Sequence, residues 1–196
     1  MPPSRLGASL LQSYCSRVRY LELFPQLDFK ELALLTELPN LQYLLISLLS
    51  KPAQGFSEQT LLTLRSVTTL VVEGAWVDLK TVLDALDLPS LHSLVVTGWY
   101  HGNPAAVLAR DATKCFRAIS RHTALTSLSM STAYGRPPFD PSHIPGLAPR
   151  SEVQDAFEGP LLDIMGPLLS LSALRTVSLD FPEHFVLACT SADLPP

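Results

Sequence analysis

An α/β fold, with stacked parallel strands joined by helical returns, is predicted by three features of this 196-residue chain. The first is a recurring spelling: apolar, two variable residues, apolar, one variable residue, apolar. It occurs as Val18-Leu21-Leu23, Leu41-Leu44-Ile46, Val67-Leu70-Val72, Leu91-Leu94-Val96, Leu125-Leu128-Met130 and Leu174-Val177-Leu179. The second is spacing: successive triplets begin 23, 26, 24, 34 and 49 residues apart. Those gaps hold one strand and one return element each, with a longer helix in the fourth and an insertion in the fifth. The third is that stripes of helical period fall between the triplets.

Self-similarity at a period of roughly 20–50 residues signals stacked repeats, and this spelling is that of a leucine-rich repeat strand. The expected architecture is therefore an irregular leucine-rich repeat solenoid. Parallel strands form its concave face and helices its convex face, in one domain over residues 1–196.

The elements follow in order. Arg5 to Cys15 is a candidate helical cap over the first strand. Phe29 to Leu38 reads as a short helical return, and Gln59 to Leu64 as another. Leu79, Val82, Leu83 and Leu86 fall at i, i+3, i+4 and i+7, with Asp78 placed to cap that helix. Leu108, Ala112, Cys115, Phe116 and Ile119 make a second stripe. Asn103-Pro104 opens it, supplying a side-chain acceptor and then a preset φ.

Two returns end in Leu38-Pro39-Asn40-Leu41 and Leu88-Pro89-Ser90-Leu91, where proline stops the helix and extends its predecessor. Thr123-Ala124 and Ser172-Ala173 hold the matching place in other repeats. Residues 133–150 carry Pro137, Pro138, Pro141, Pro145 and Pro149 and no stripe, which predicts a Pro-rich mobile loop. Helix is expected to resume over Ser151 to Ser170 through Phe157, Leu161, Ile164, Met165 and Leu168, broken by Pro160 and Gly166-Pro167.

Composition narrows function. The chain is 47% hydrophobic and 16% charged, with a net charge of −4. No basic run exists to track a phosphate backbone, so no nucleic-acid partner is expected. The most apolar stretch, Glu31 to Ser50, is interrupted by Glu31, Glu37 and Pro39, so no membrane span is expected. Met1 to Ser13 is too weakly apolar for a secretory signal. Cys15, Cys115 and Cys189 are odd in number and far apart, which suits ordinary thiols in an intracellular compartment, cytoplasmic or nuclear.

Strand alternation turns the triplets inward and the residues between them outward. One outward row reads Tyr20, Tyr43, Thr69, Ser93, Ser127, Thr176. The next reads Glu22, Leu45, Val71, Val95, Ser129, Ser178. The positions following each triplet are Phe24, Ser47, Glu73, Thr97, Ser131 and Asp180. The middle of this face is apolar and its C-terminal half is hydroxyl-rich. Tyr20, Glu22, Tyr43, Leu45, Val71, Glu73 and Val95 are the candidate partner-binding residues.

No nucleophile elbow, phosphate loop, dinucleotide fingerprint or zincin helix is present. His92, His101, His122, His143 and His184 are scattered without ligand spacing. No catalytic residue, metal or cofactor is therefore expected, and the chain reads as a non-enzyme. Asp111 and Lys114 have ion-pair spacing on a helix. Trp99-Tyr100-His101 reads as packing over the next turn rather than as a binding cluster.

The segments Leu168 to Leu179, Leu88 to Val96 and Tyr14 to Leu23 resemble the leucine-rich repeat region of fungal, mushroom-type F-box proteins. That resemblance implies a curved solenoid that holds a protein destined for ubiquitination, while the F-box itself binds a Skp-type adaptor and cullin. This chain departs from the pattern. Its first triplet begins at Val18, and no F-box module is expected before it. The Asn common after such strands is replaced by Gln26, Leu49, Ala75, Trp99, Ala133 and Pro182. The expectation is a non-catalytic protein-interaction module. The alternative is a truncated repeat remnant with no specific partner, suggested by the short Ala188 to Pro196 end.

Overall fold

The computed structural model describes residues 15–23, 32–48, 61–100, 105–134, 159–160, 165–180 and 187–188. It is a mixed α/β structure centred on a six-stranded parallel sheet. The strands are β1 (Tyr20–Leu23), β2 (Tyr43–Ser47), β4 (Thr69–Ala75), β6 (Ser93–Tyr100), β7 (Ser127–Tyr134) and β9 (Thr176–Asp180), side by side in that order. Two short parallel pairs lie outside it: β3 (Leu62–Thr63) with β5 (Leu86–Asp87), and β8 (Gly159–Pro160) with β10 (Leu187–Ala188).

Register follows the repeat. Leu21, Leu44, Leu70, Leu94, Leu128 and Val177 are matched from strand to strand. A recurrent turn precedes the strands. The amides of Leu41, Leu91, Leu125 and Leu174 donate to the carbonyls of Leu38, Leu88, His122 and Leu171 at 3.0–3.2 Å. One carbonyl per repeat (Arg19, Gln42, Thr68, His92 and Thr126) then accepts two successive amides from the next repeat, all at 2.9–3.1 Å. Backbone groups that a two-residue turn would orphan are thus paired across repeats.

The core lies on one side of this sheet. Leu44, Ile46, Leu70, Val72, Leu94, Val96, Leu128 and Met130 are fully buried there. They share one cluster with α1 (Trp76–Ala85) and α2 (Ala105–Ile119), through Leu79, Val82 and Leu83 of the first and Phe116 and Ile119 of the second. A buried leucine contributes about 1.5–3 kcal/mol relative to exposure, so this ladder dominates the stability. Cys115 joins the core, its thiol donating to the Trp76 carbonyl at 3.5 Å. At the outer end of α1, Arg121 donates to the Leu83 carbonyl at 2.9 Å and pairs with Asp84, which also holds Lys80. Lys114 and Asp111 form the expected i, i+3 pair at 3.1 Å.

Several expectations are corrected. Leu61–Leu64 are not helical: Leu62 and Leu64 alternate inward and pair through β3 with β5, a partner 24 residues on. Leu86, expected on the stripe of α1, belongs to β5. The helix starts directly at the end of β4, so Ala75 is its N-cap and Asp78 falls in the first turn, where its charge still suits the helix dipole. The return over Phe29 to Leu38 holds a 3-10 turn, Leu34–Glu37, in its described part. β7 runs through Ala133 and Tyr134, residues assigned to the Pro-rich loop; the remainder, 135–150, lies outside the described residues.

The helix expected over Ser151 to Ser170, broken at Pro160 and Gly166-Pro167, is described only at 159–160 and 165–170. Gly159–Pro160 is a strand and Gly166–Ser170 a 3-10 turn with proline in its first positions. The proposed cap from Arg5, apart from Cys15, and Asn103-Pro104 lie outside the described residues, as do Cys189 and the end from 189. Burial also fades at the sheet margins. Val18, Leu21 and Leu23 are half-buried, and Val177 is 42% exposed, because β1 and β9 each have a described neighbour on one side only.

Candidate protein-docking face

The face of the sheet opposite the core carries every sequence-predicted site residue. Tyr20, Tyr43, Thr69, Ser93, Ser127 and Thr176 stand in one register row, and Glu22, Leu45, Val71, Val95, Ser129 and Ser178 in the next. Burial alternates strictly along β4 and along β6 to Trp99, with Val71 and Val95 half-buried between fully buried neighbours. In a parallel sheet, flanking strands shade each outward side chain, which is why these valines are half-covered rather than open.

The row begins with an aromatic pair. Tyr20 and Tyr43 stack with ring centroids 4.4 Å apart and planes 12° from parallel. Tyr20, 55% exposed, donates its phenol to Glu22 on the same strand. That bond to a carboxylate pushes the Tyr20 pKa up to about 12, with desolvation and the Glu22 charge adding to it. Leu45, Val71 and Val95 continue the surface as an apolar band. Beyond it the face turns to hydroxyls, and Thr97 and Ser131 are joined at 3.3 Å.

Trp99 belongs to this face too. It stands on the outward row of β6 between Ala75 and Ala133, half-buried. The expectation of a residue packed over the next turn is corrected: β6 extends through Tyr100, so alternation continues and carries Trp99 outward. The alternating run from Leu94 could have revealed this, had the strand been extended past Val96. Ser47, by contrast, is only 2% exposed and offers nothing to a partner.

The outward charges have one sign. Glu22, Glu73 and Asp180 are the charged residues at outward strand positions, and none is in an ion pair among the described residues. One step before the strands stand the basic residues Arg19 at β1 and Arg175 at β9. The middle repeats carry Gln42, Thr68, His92 and Thr126 there. His92 is exposed and its Nδ1 lies 2.6 Å from the Ser90 carbonyl, so the ring is held at the margin.

Among the described residues no group of three His, Cys, Asp or Glu side chains is arranged to hold a metal ion, and no helix is long and apolar enough to cross a membrane. His122, expected only as one of five scattered histidines without ligand spacing, is a buried titratable residue. It is 4% exposed with Nε2 unpartnered, and desolvation, assisted by the Arg121 charge and opposed by Asp87, lowers its pKa. Comparison with known proteins adds no name to this geometry: no family model, curated protein or solved structure matches the chain.

Proposed function

We propose that this chain is a non-catalytic protein-binding scaffold of the leucine-rich repeat type, related to the repeat region of fungal F-box proteins. The observation that carries the reading is the register. The same triplet position recurs on six adjacent parallel strands, so each repeat presents the same two outward positions on one continuous face. Such a face recognises a partner by side-chain pattern rather than by a reacting group. Its aromatic pair, apolar band and Trp99 are the residue types that anchor protein interfaces. Recognition of a substrate for a ubiquitin ligase is the role we assign to it, in an intracellular setting.

A photocrosslinking amino acid at Val95, compared with one at Val77 on the outer surface of α1, tests this in a fungal lysate. A discrete adduct at Val95 that Tyr43→Ala abolishes, with the variant still folded by circular dichroism, is expected. Crosslinking at neither position, or equally at both, would favour the remnant reading. Recovery of a Skp-type adaptor and cullin with the adduct would support the ligase role; an adduct without them would leave the scaffold and remove the ligase.

A further inference from the structure

Resting on that reading, we infer that the partner presents an extended segment with two basic side chains flanking apolar ones. The outward face has two places where the register puts an aromatic residue near a carboxylate that is in no ion pair among the described residues. One is Tyr20 and Tyr43 with Glu22. The other is Trp99 with Glu73, which lies diagonally across from it: Ala75 is matched to Trp99 and Glu73 to Thr97. A π-face and a carboxylate both attract a cation, and together they favour the flat guanidinium of arginine.

The spacing is set by the sheet. Glu22 and Glu73 are two strands and one outward step apart, about 10 Å across and about 7 Å along, or roughly 12 Å in all. An extended chain covers that distance in about four residues. A basic residue at each end of the span thus reaches a carboxylate while the apolar residue midway crosses β2 between Leu45 and Ser47. The absence of any basic residue from the outward rows of the described strands removes the competition such a segment would meet. Charge of one sign around an apolar band, in no ion pair among the described residues, selects for a partner of opposite sign.

The test selects a displayed random-peptide library on the full chain and measures enriched peptides by fluorescence anisotropy. Expected are peptides with two Arg or Lys about four residues apart and apolar residues between. Their affinity falls ~2–5-fold for each of Glu22→Gln and Glu73→Gln, since a partly screened ion pair is worth that much. The melts of both variants should stay unchanged. Peptides that bind this face, judged by loss of binding to the Val71→Arg variant, yet carry neutral or acidic sequences would overturn the charge inference while leaving the docking face standing. Enrichment only of peptides insensitive to Val71→Arg, or of none, would overturn both.

Discussion

The indole of Trp76 lies across the bare backbone of Gly98. A Cβ at Gly98 would come within 2.0 Å of Trp76 Cε2 and 2.4 Å of Nε1. Trp76 opens α1 and Gly98 sits on the inward side of β6, so this one contact sets how closely the helix meets the sheet.

Gly98→Ala is therefore expected to destabilise by about 1–3 kcal/mol or more, because a rigid ring cannot yield as a flexible chain end can. Gly74→Ala meets Leu48 Cβ at 2.8 Å and should cost less, and Gly166→Ala, with nothing within 4 Å, should fall within about 0.5 kcal/mol of the parent. Urea titration followed by Trp fluorescence ranks the three. Equal stability of Gly98→Ala and Gly166→Ala would contradict the packing.

Neighbouring residues of β6 should respond in opposite ways. Leu94 is fully buried and Leu94→Asp should unfold the chain, since a lost apolar group and a buried unpaired carboxylate together cost several kcal/mol. Val95→Thr, on the half-buried outward face, should shift stability by less than about 1 kcal/mol. Circular dichroism decides it, and a folded Leu94→Asp protein would refute the inward orientation.

His122 occupies a leucine place. In the turns before β2, β4, β6 and β9 the matching residues are Leu38, Leu64, Leu88 and Leu171 (Cys15 before β1), and His122 before β7 is buried with Nε2 unpartnered. Burial lowers its pKa from the ordinary 6.5, so the folded protein binds fewer protons there than the unfolded one. Its contribution is complete above about pH 6.5 and lost progressively as the pH falls to the depressed folded value. His122→Leu should raise the melting temperature and flatten stability between pH 7.5 and 5.5. An unchanged slope would assign the pH response elsewhere.

Cys115 should be chemically silent in the folded protein. Its side chain is fully buried and desolvation, aided by Asp111 and Asp84, pushes its pKa to about 12, leaving almost no thiolate. Mass spectrometry after iodoacetamide treatment should find Cys15, which is half-buried, alkylated well before Cys115, with Cys115 reacting at the rate of global unfolding. Rapid native alkylation of Cys115 would mean that α2 opens locally.

The six triplets, their inward turn in the four middle strands, and both outward rows were legible because strand alternation has a period of two and the repeat restates it. Helices α1 and α2 were legible from stripes long enough to distinguish a period of 3.6. Short apolar runs were not. Leu62 and Gly159 became strands only because β5 and β10, each more than 20 residues away in sequence, supply their hydrogen-bond partners. The Tyr20–Tyr43 stack and the Trp76–Gly98 contact belong to the same class.

By itself, then, the order of residues determined which side chains face in, which face out and which rows they share, because those depend on local geometry repeated along the chain. The assembled tertiary structure alone decided how far β7 extends, that Tyr20 stacks on Tyr43, and that Trp76 lies against Gly98. Each of these depends on what a distant segment brings within hydrogen-bonding or van der Waals reach, which no local pattern encodes.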